Sequence, residues 1–201
     1  MPDMEKLLDR QIRLFGTKIQ EKLRKYRIII VGHPNAIAQE IFKNFILLNV
    51  QEIITTKDIL ESTNKSIKKD ILKTYTAVNI NIKGIEQIRM QYLGQKRGRI
   101  QEWIDFFFSK KEDMKRTFCF LIDEVYTPEC NFYFLCTKCQ QMYLNKAEHE
   151  CSFSKQQKSE NVCLALAKDF YLGSVAVQEF IKIIKGKQHE ALTFFSYENE
   201  P

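Results

Sequence analysis

Residues 27–48 read Arg-Ile-Ile-Ile-Val-Gly-His-Pro-Asn-Ala-Ile-Ala-Gln-Glu-Ile-Phe-Lys-Asn-Phe-Ile-Leu-Leu, and the architecture of the chain follows from them. The first six, Arg27 to Gly32, form a continuously apolar, β-branched run. Such a run suits a strand buried on both faces of a parallel sheet. Beyond the turn, Ile37, Ile41, Phe45 and Leu48 recur at helical spacing over 36–48. Ile53 to Thr56 supplies a second strand. Strand, helix and strand within about 30 residues are the mark of a right-handed parallel crossover.

Upstream, residues 5–26 predict a helical arm, with Leu7, Leu8, Ile12, Leu14, Phe15, Ile19 and Leu23 recurring among charges and Gly16 breaking it in two. Downstream, Ala77 to Ile82 alternates as a third strand, and Thr117 to Ile122 (TFCFLI) is a further core strand. Residues 95–116 are polar and basic around Trp103, Phe106, Phe107 and Phe108, a patch read as core or as a contact between subunits. After Asp123-Glu124, a helix is expected from Pro128 to Tyr143, an edge strand over 149–154, a polar connection to Asn161 and a helix over 162–185. Thr193 to Tyr197 closes the chain as a strand. Alternating elements predict a single α/β domain over 1–201: a helical arm (1–26) and a Rossmann-like body (27–201) with a largely parallel sheet flanked by helices.

Composition narrows the function classes. Hydrophobic residues at 44% against 28% charged leave enough apolar side chains for a packed core. The net charge of +6, from 31 basic and 25 acidic residues, is dispersed along the chain. A nucleic-acid binder gathers its basic residues into one stripe, so no nucleic-acid partner is expected. No apolar run reaches the ~18 residues of a membrane span. Met1-Pro2-Asp3-Met4-Glu5 lacks the pattern of an export signal, so the expected location is nucleus or cytoplasm. The six cysteines are then thiols, metal ligands or packing residues rather than disulfides.

The strand–turn–helix invites a test as a dinucleotide site, since anions bind where a parallel strand meets a helix N-terminus. A phosphate-cradling turn needs glycines, so that backbone N–H groups can approach the anion. Gly32-His33-Pro34-Asn35-Ala36-Ile37-Ala38 keeps only Gly32, and Pro34 has no N–H to offer. At the end of the second strand, where an acidic residue would hold a ribose, Lys57 precedes Asp58. The residues therefore predict a Rossmann-like scaffold that binds no nucleotide of its own.

Asp9-Arg10-Gln11-Ile12-Arg13-Leu14-Phe15-Gly16, Gln20-Glu21-Lys22-Leu23, the RIIIVG strand and Glu40-Ile41-Phe42-Lys43-Asn44-Phe45-Ile46-Leu47 together resemble the opening of ThiF/MoeB-type adenylating enzymes. Within that family the resemblance is closest to the ubiquitin-like-protein activating enzymes, and there to the small, non-cysteine subunit of the SUMO-activating heterodimer. Gly173 to Lys182 is similar to the family's late helix, and Leu192 to Tyr197 to the strand after it.

The resemblance implies a division of labour. One subunit binds ATP and magnesium and adenylates the C-terminal glycine of SUMO or a related modifier, Nedd-type included. A related half, short of most of the pocket, completes the enzyme. This chain departs from the family in the direction of the second role. Its turn is one residue longer when anchored on Glu40-Ile41, the ribose aspartate falls on Lys57, and no Asn-x-x-Arg-Gln element follows in 58–75. Arg10 matches the arm arginine that reaches the partner's ATP phosphates, and Arg13 is a second candidate. A guanidinium suits that task because it is always charged and forks onto phosphate oxygens; without the resemblance, Arg10 reads as a surface ion-pair residue beside Asp9 or Glu5. The expected partner is a larger catalytic subunit carrying ATP and the thioester-forming cysteine. The chain is shorter than the family's small subunits, so it reads as a reduced form or a fragment. Two rivals stand beside this reading, a self-sufficient adenylating homodimer and a zinc-bearing interaction module.

The zinc reading rests on Cys136-Thr137-Lys138-Cys139 and His149-Glu150-Cys151, four soft ligands within 16 residues. Cys-x-x-Cys is a common zinc hook, and His-x-Cys is an unusual second half. With Cys136 and Cys139 expected on a helix, the competing reading is an i, i+3 pair of small core-facing residues. Cys119 and Cys163 are expected to be buried packing residues.

Overall fold

A computed structural model describes residues 4–66, 78–88, 115–124, 128, 130–146 and 162–187. The arm is two helices, α1 (Met4–Phe15) and α2 (Thr17–Leu23), and the body begins with β1 (Arg27–Gly32), α3 (Ala36–Leu47), β2 (Glu52–Thr55) and α4 (Lys57–Ser66). There follow β3 (Asn79–Ile82), a short α5 (Ile85–Ile88), β4 (Thr117–Ile122), β5 (Asn131–Cys136), β6 (Gln141–Leu144) and a long α6 (Val162–Ile184). The six strands form one sheet in the order β3-β2-β1-β4-β5-β6. All neighbours are parallel except β5 and β6. The chain reverses its winding direction between β1 and β4, where Gly32 stands opposite Ile122; in open α/β sheets this reversal is where ligands bind.

The apolar runs behave as their composition dictates. Ile28, Ile30, Phe118, Phe120, Tyr133 and Leu135 face a layer built from α3 and α6, while Ile29, Val31, Cys119, Leu121, Phe132 and Phe134 fill the opposite side of the sheet. Aromatic rings hold the first layer together: Phe118 meets Phe180 at 4.9 Å and Phe45 meets Phe180 at 5.2 Å between centroids. Helices α3 and α6 approach closely at Gly173, where an added Cβ would lie 2.9 Å from both the Ile37 carbonyl oxygen and the Glu40 Cβ. Beside it the buried Glu40 carboxylate accepts from Ser174 Oγ and Asn44 Nδ2, each at 2.9 Å, and pairs with Lys43.

The helix expected over 128–143 is instead the β5–β6 hairpin. Asn-Phe-Tyr-Phe-Leu-Cys beside β4 is buried on both faces, so it shows no strand alternation, and its aromatic content favours the sheet. Asn145 closes the hairpin, its side-chain oxygen accepting from Phe132 N–H at 2.9 Å. The arm, the break at Gly16, β1 to β3, β4 and α6 lie where the periodicities place them. Trp103, Phe106, Phe107 and Phe108, the 149–154 strand and the Thr193–Tyr197 strand lie outside the described residues.

Candidate functional site

The turn after β1 is occupied by its own chain. Gly32 has φ +136, and a Cβ there would sit 2.2 Å from the Ile122 carbonyl oxygen. This glycine is needed for the close approach of β1 and β4, independently of any anion. His33 and Pro34 are exposed, and Asn35 then caps α3 by accepting the Ala38 N–H at 3.0 Å through its side-chain oxygen. In a phosphate-binding turn that donor faces the ligand. Ala36, Ile37 and Ala38 are buried, so the first turn of α3 is packed rather than open.

The flanking strand ends carry charged side chains of their own. Lys57 opens α4 immediately beyond β2 and reaches Glu61 at 3.5 Å across the exposed helix surface. It places positive charge where a ribose-binding carboxylate would stand. At the end of β4, Asp123 adopts φ 56 and gives both oxygens to Thr137, to its N–H at 2.9 Å and its Oγ1 at 2.6 Å. This carboxylate at the end of β4 therefore ties the strand to the hairpin turn. Sequence reasoning assigned Asp123 no role, although an acid directly after a buried parallel strand is a signal worth following.

The arm carries the two arginine candidates in different states. Arg13 forks onto Asp9 one turn back, with Nη2–Oδ2 2.9 Å and Nε–Oδ1 3.1 Å, on an open surface. Arg10 is exposed and has no hydrogen-bond or ion-pair partner among the described residues, so the surface pairing with Asp9 belongs to Arg13. Leu14, one turn on from Arg10, is 72% exposed, the most exposed large apolar side chain of the described residues. Arm and body are joined by fully buried Leu23, with half-buried Phe15 and Ile19 packed against the same core, and by two glutamines that sequence reasoning overlooked. Gln11 Nε2 donates to the Leu47 carbonyl and Gln20 Nε2 to the Leu48 carbonyl at 2.8 Å.

The cysteines take up separate positions. Cys136 ends β5 and Cys139 lies in the hairpin turn, so the pair flanks a tight turn rather than a helix face. Both are buried in the apolar layer with Phe132 and Phe134. His149 and Cys151 lie outside the described residues, and among the described residues no three metal-ligating side chains come together. Cys119 is fully buried, and burial, with a smaller effect of Cys130, raises its thiol well above the ordinary value. Cys163, expected to be buried, is exposed on the first turn of α6.

The six-stranded fold is shared with ThiF/MoeB-like adenylating enzymes. The Escherichia coli protein MccB, in its complex with MccA-N7isoASN, aligns with a TM-score of 0.52 at 10% identity over 92% of this chain and 66% of that one. PaaA aligns with a TM-score of 0.54 at 11% identity over 96% and 69% of the two chains. MccB bound to ATP aligns with a TM-score of 0.50 at 10% identity over 92% and 65%. The chain thus spans about two thirds of the length of MccB. No protein-family model matches the chain, and no curated protein matches it in sequence. The likeness is one of fold, and it does not single out the SUMO-activating small subunit.

Proposed function

We propose that this chain is the regulatory, non-cysteine half of a heterodimeric enzyme that activates a ubiquitin-like protein, SUMO first among the candidates, and that a larger partner binds the ATP. The reading is carried by one contrast: a turn closed to phosphate in the body, and a phosphate-seeking guanidinium on the arm that has no partner among the described residues. Gly32 packed against Ile122, Pro34 without an N–H and Asn35 on the Ala38 N–H leave a poor cradle for a triphosphate. Arg10 beside exposed Leu14 presents a cation and an apolar contact on one helix face, the combination a protein partner can cover.

In the complex, a carboxylate oxygen of the modifier's C-terminus attacks the α-phosphorus of ATP. The bond from that phosphorus to the bridging oxygen breaks, pyrophosphate leaves and an acyl-adenylate forms. The partner's cysteine thiolate then attacks the acyl carbon and releases AMP. Arg10 would sit against the triphosphate and stabilise the charge that collects on pyrophosphate as it departs.

Affinity capture of the tagged full chain, followed by identification of the co-purifying protein, tests the reading. A larger ThiF-like subunit carrying an ATP site is expected. Micromolar ATP binding by the chain alone would instead favour a self-sufficient adenylating enzyme. Stoichiometric zinc without such a subunit would favour an interaction module.

A further inference from the structure

Helix α3 ends in buried surroundings, at Leu48, Asn49 and Val50. The carbonyls of Phe45 and Ile46 receive the N–H groups of Val50 at 3.5 Å and Asn49 at 3.0 Å, whereas those of Leu47 and Leu48 have no backbone donor among the described residues, and a helix end buried without partners is costly. Here the donors come from outside the helix. The amides of Gln11 on α1 and Gln20 on α2 reach the consecutive carbonyls of Leu47 and Leu48, across 36 and 28 residues of sequence. The oxygens of both glutamine amides are buried and have no donor among the described residues. Donation to α3 is thus what orients each amide, and the two contacts fix the arm at points on both sides of the Gly16 break.

We propose that Gln11 and Gln20 are positioning residues, a two-point clamp that sets the rotation of the arm on the body and thereby aims Arg10. Gln11 precedes Arg13 and follows Arg10, so with Gln11 held inward the helix must present Arg10 about 100° away, on its open flank. Leu23, Phe15 and Ile19 supply adhesion without direction, because apolar contact is indifferent to small rotations. The amide bonds to two adjacent carbonyls are directional. The inference rests on the function proposed above, in which Arg10 acts on the partner's ATP.

The test uses the full chain in complex with its co-purified larger subunit and reads modifier-dependent ATP–pyrophosphate exchange at saturating partner. Gln11→Glu keeps the shape of the side chain but cannot donate, and it sets a negative charge against the negative end of α3. It is expected to lower kcat at least tenfold. Gln11→Lys restores a donor and is expected to recover most of the rate. The decisive comparison is the double variant. If Gln11 acts through Arg10, Arg10→Ala/Gln11→Glu is no slower than Arg10→Ala alone, whereas independent effects multiply. A multiplying double variant, or a wild-type rate for Gln11→Glu, overturns the positioning role.

Hydrogen exchange on the isolated chain separates this outcome from failure of the functional reading. Gln11→Glu should speed exchange in α1 at least tenfold, and Gln11→Lys should not. Unchanged protection in α1 with Gln11→Glu overturns the clamp whatever the enzyme does. A wild-type exchange rate for the Arg10→Ala complex overturns the functional reading, and the aiming of Arg10 with it.

Discussion

At the scale of single residues, Gly32 and Asn35 answer to stability measurements, and Arg10 and Arg13 to measurements on the complex. Gly32 has no room for a Cβ against Ile122 and holds a backbone angle that side chains disfavour. Gly32→Ala should therefore destabilise the chain by roughly 2–5 kcal/mol, combining backbone strain and overpacking, read as a lower denaturant midpoint. Asn35→Ala removes only the cap on Ala38 and should cost about 1 kcal/mol. Arg10→Ala should leave the fold and its stability nearly unchanged, since the exposed side chain has no partner among the described residues. In the proposed heterodimer it should slow adenylation by roughly 30- to 1000-fold, the effect of losing about 2–4 kcal/mol of transition-state stabilisation. Arg10→Lys should regain part of that, because a point charge does not fork. Arg13→Ala, which releases the surface pair with Asp9, should act mainly on partner affinity.

At the scale of elements, the ends of α3 organise the molecule. Its N-terminus closes the turn where a phosphate would sit, and its C-terminus receives the arm. Gln20→Leu leaves the buried Leu48 carbonyl without that donor and should cost about 1–3 kcal/mol, measurable by urea unfolding. These elements were unequally legible in the sequence. Strands β1 and β4 could be read directly because both are unbroken apolar runs, and α3 because its apolar residues keep helical spacing. The β5–β6 hairpin was not legible, since Phe132, Tyr133, Phe134 and Leu135 are buried on both faces and erase the alternation that marks a strand. That the turn after β1 carries Pro34 and few glycines could be read directly. The reason Gly32 remains could not, because it lies in a contact with Ile122, ninety residues away. Gln11 and Gln20 were hidden for the same reason: polar residues on a charged arm look solvated until their partners on α3 are known.

The whole molecule is held by an aromatic layer under α6, and that layer carries a pH signature. Burial, with a lesser effect of Glu179, raises the Tyr133 phenol far above its ordinary 10.0. A raised phenol favours the neutral form in the folded state. Its contribution is intact below the ordinary value and is lost as pH climbs beyond it, at up to about 1.4 kcal/mol per pH unit. Buried Cys119 adds a similar loss beginning near 9.0. Urea midpoints should fall steeply from pH 9 to 11, and Tyr133→Phe should flatten the part above 10. The same scale holds the central claim, that this chain completes a partner's catalytic site and has none of its own. Modifier-dependent ATP–pyrophosphate exchange, measured for the chain alone and again with the co-purified larger subunit, addresses it most directly. The account predicts no exchange by the chain alone, full exchange in the complex, and a large loss when the complex carries Arg10→Ala. Exchange by the isolated chain, or a complex indifferent to Arg10→Ala, would contradict it.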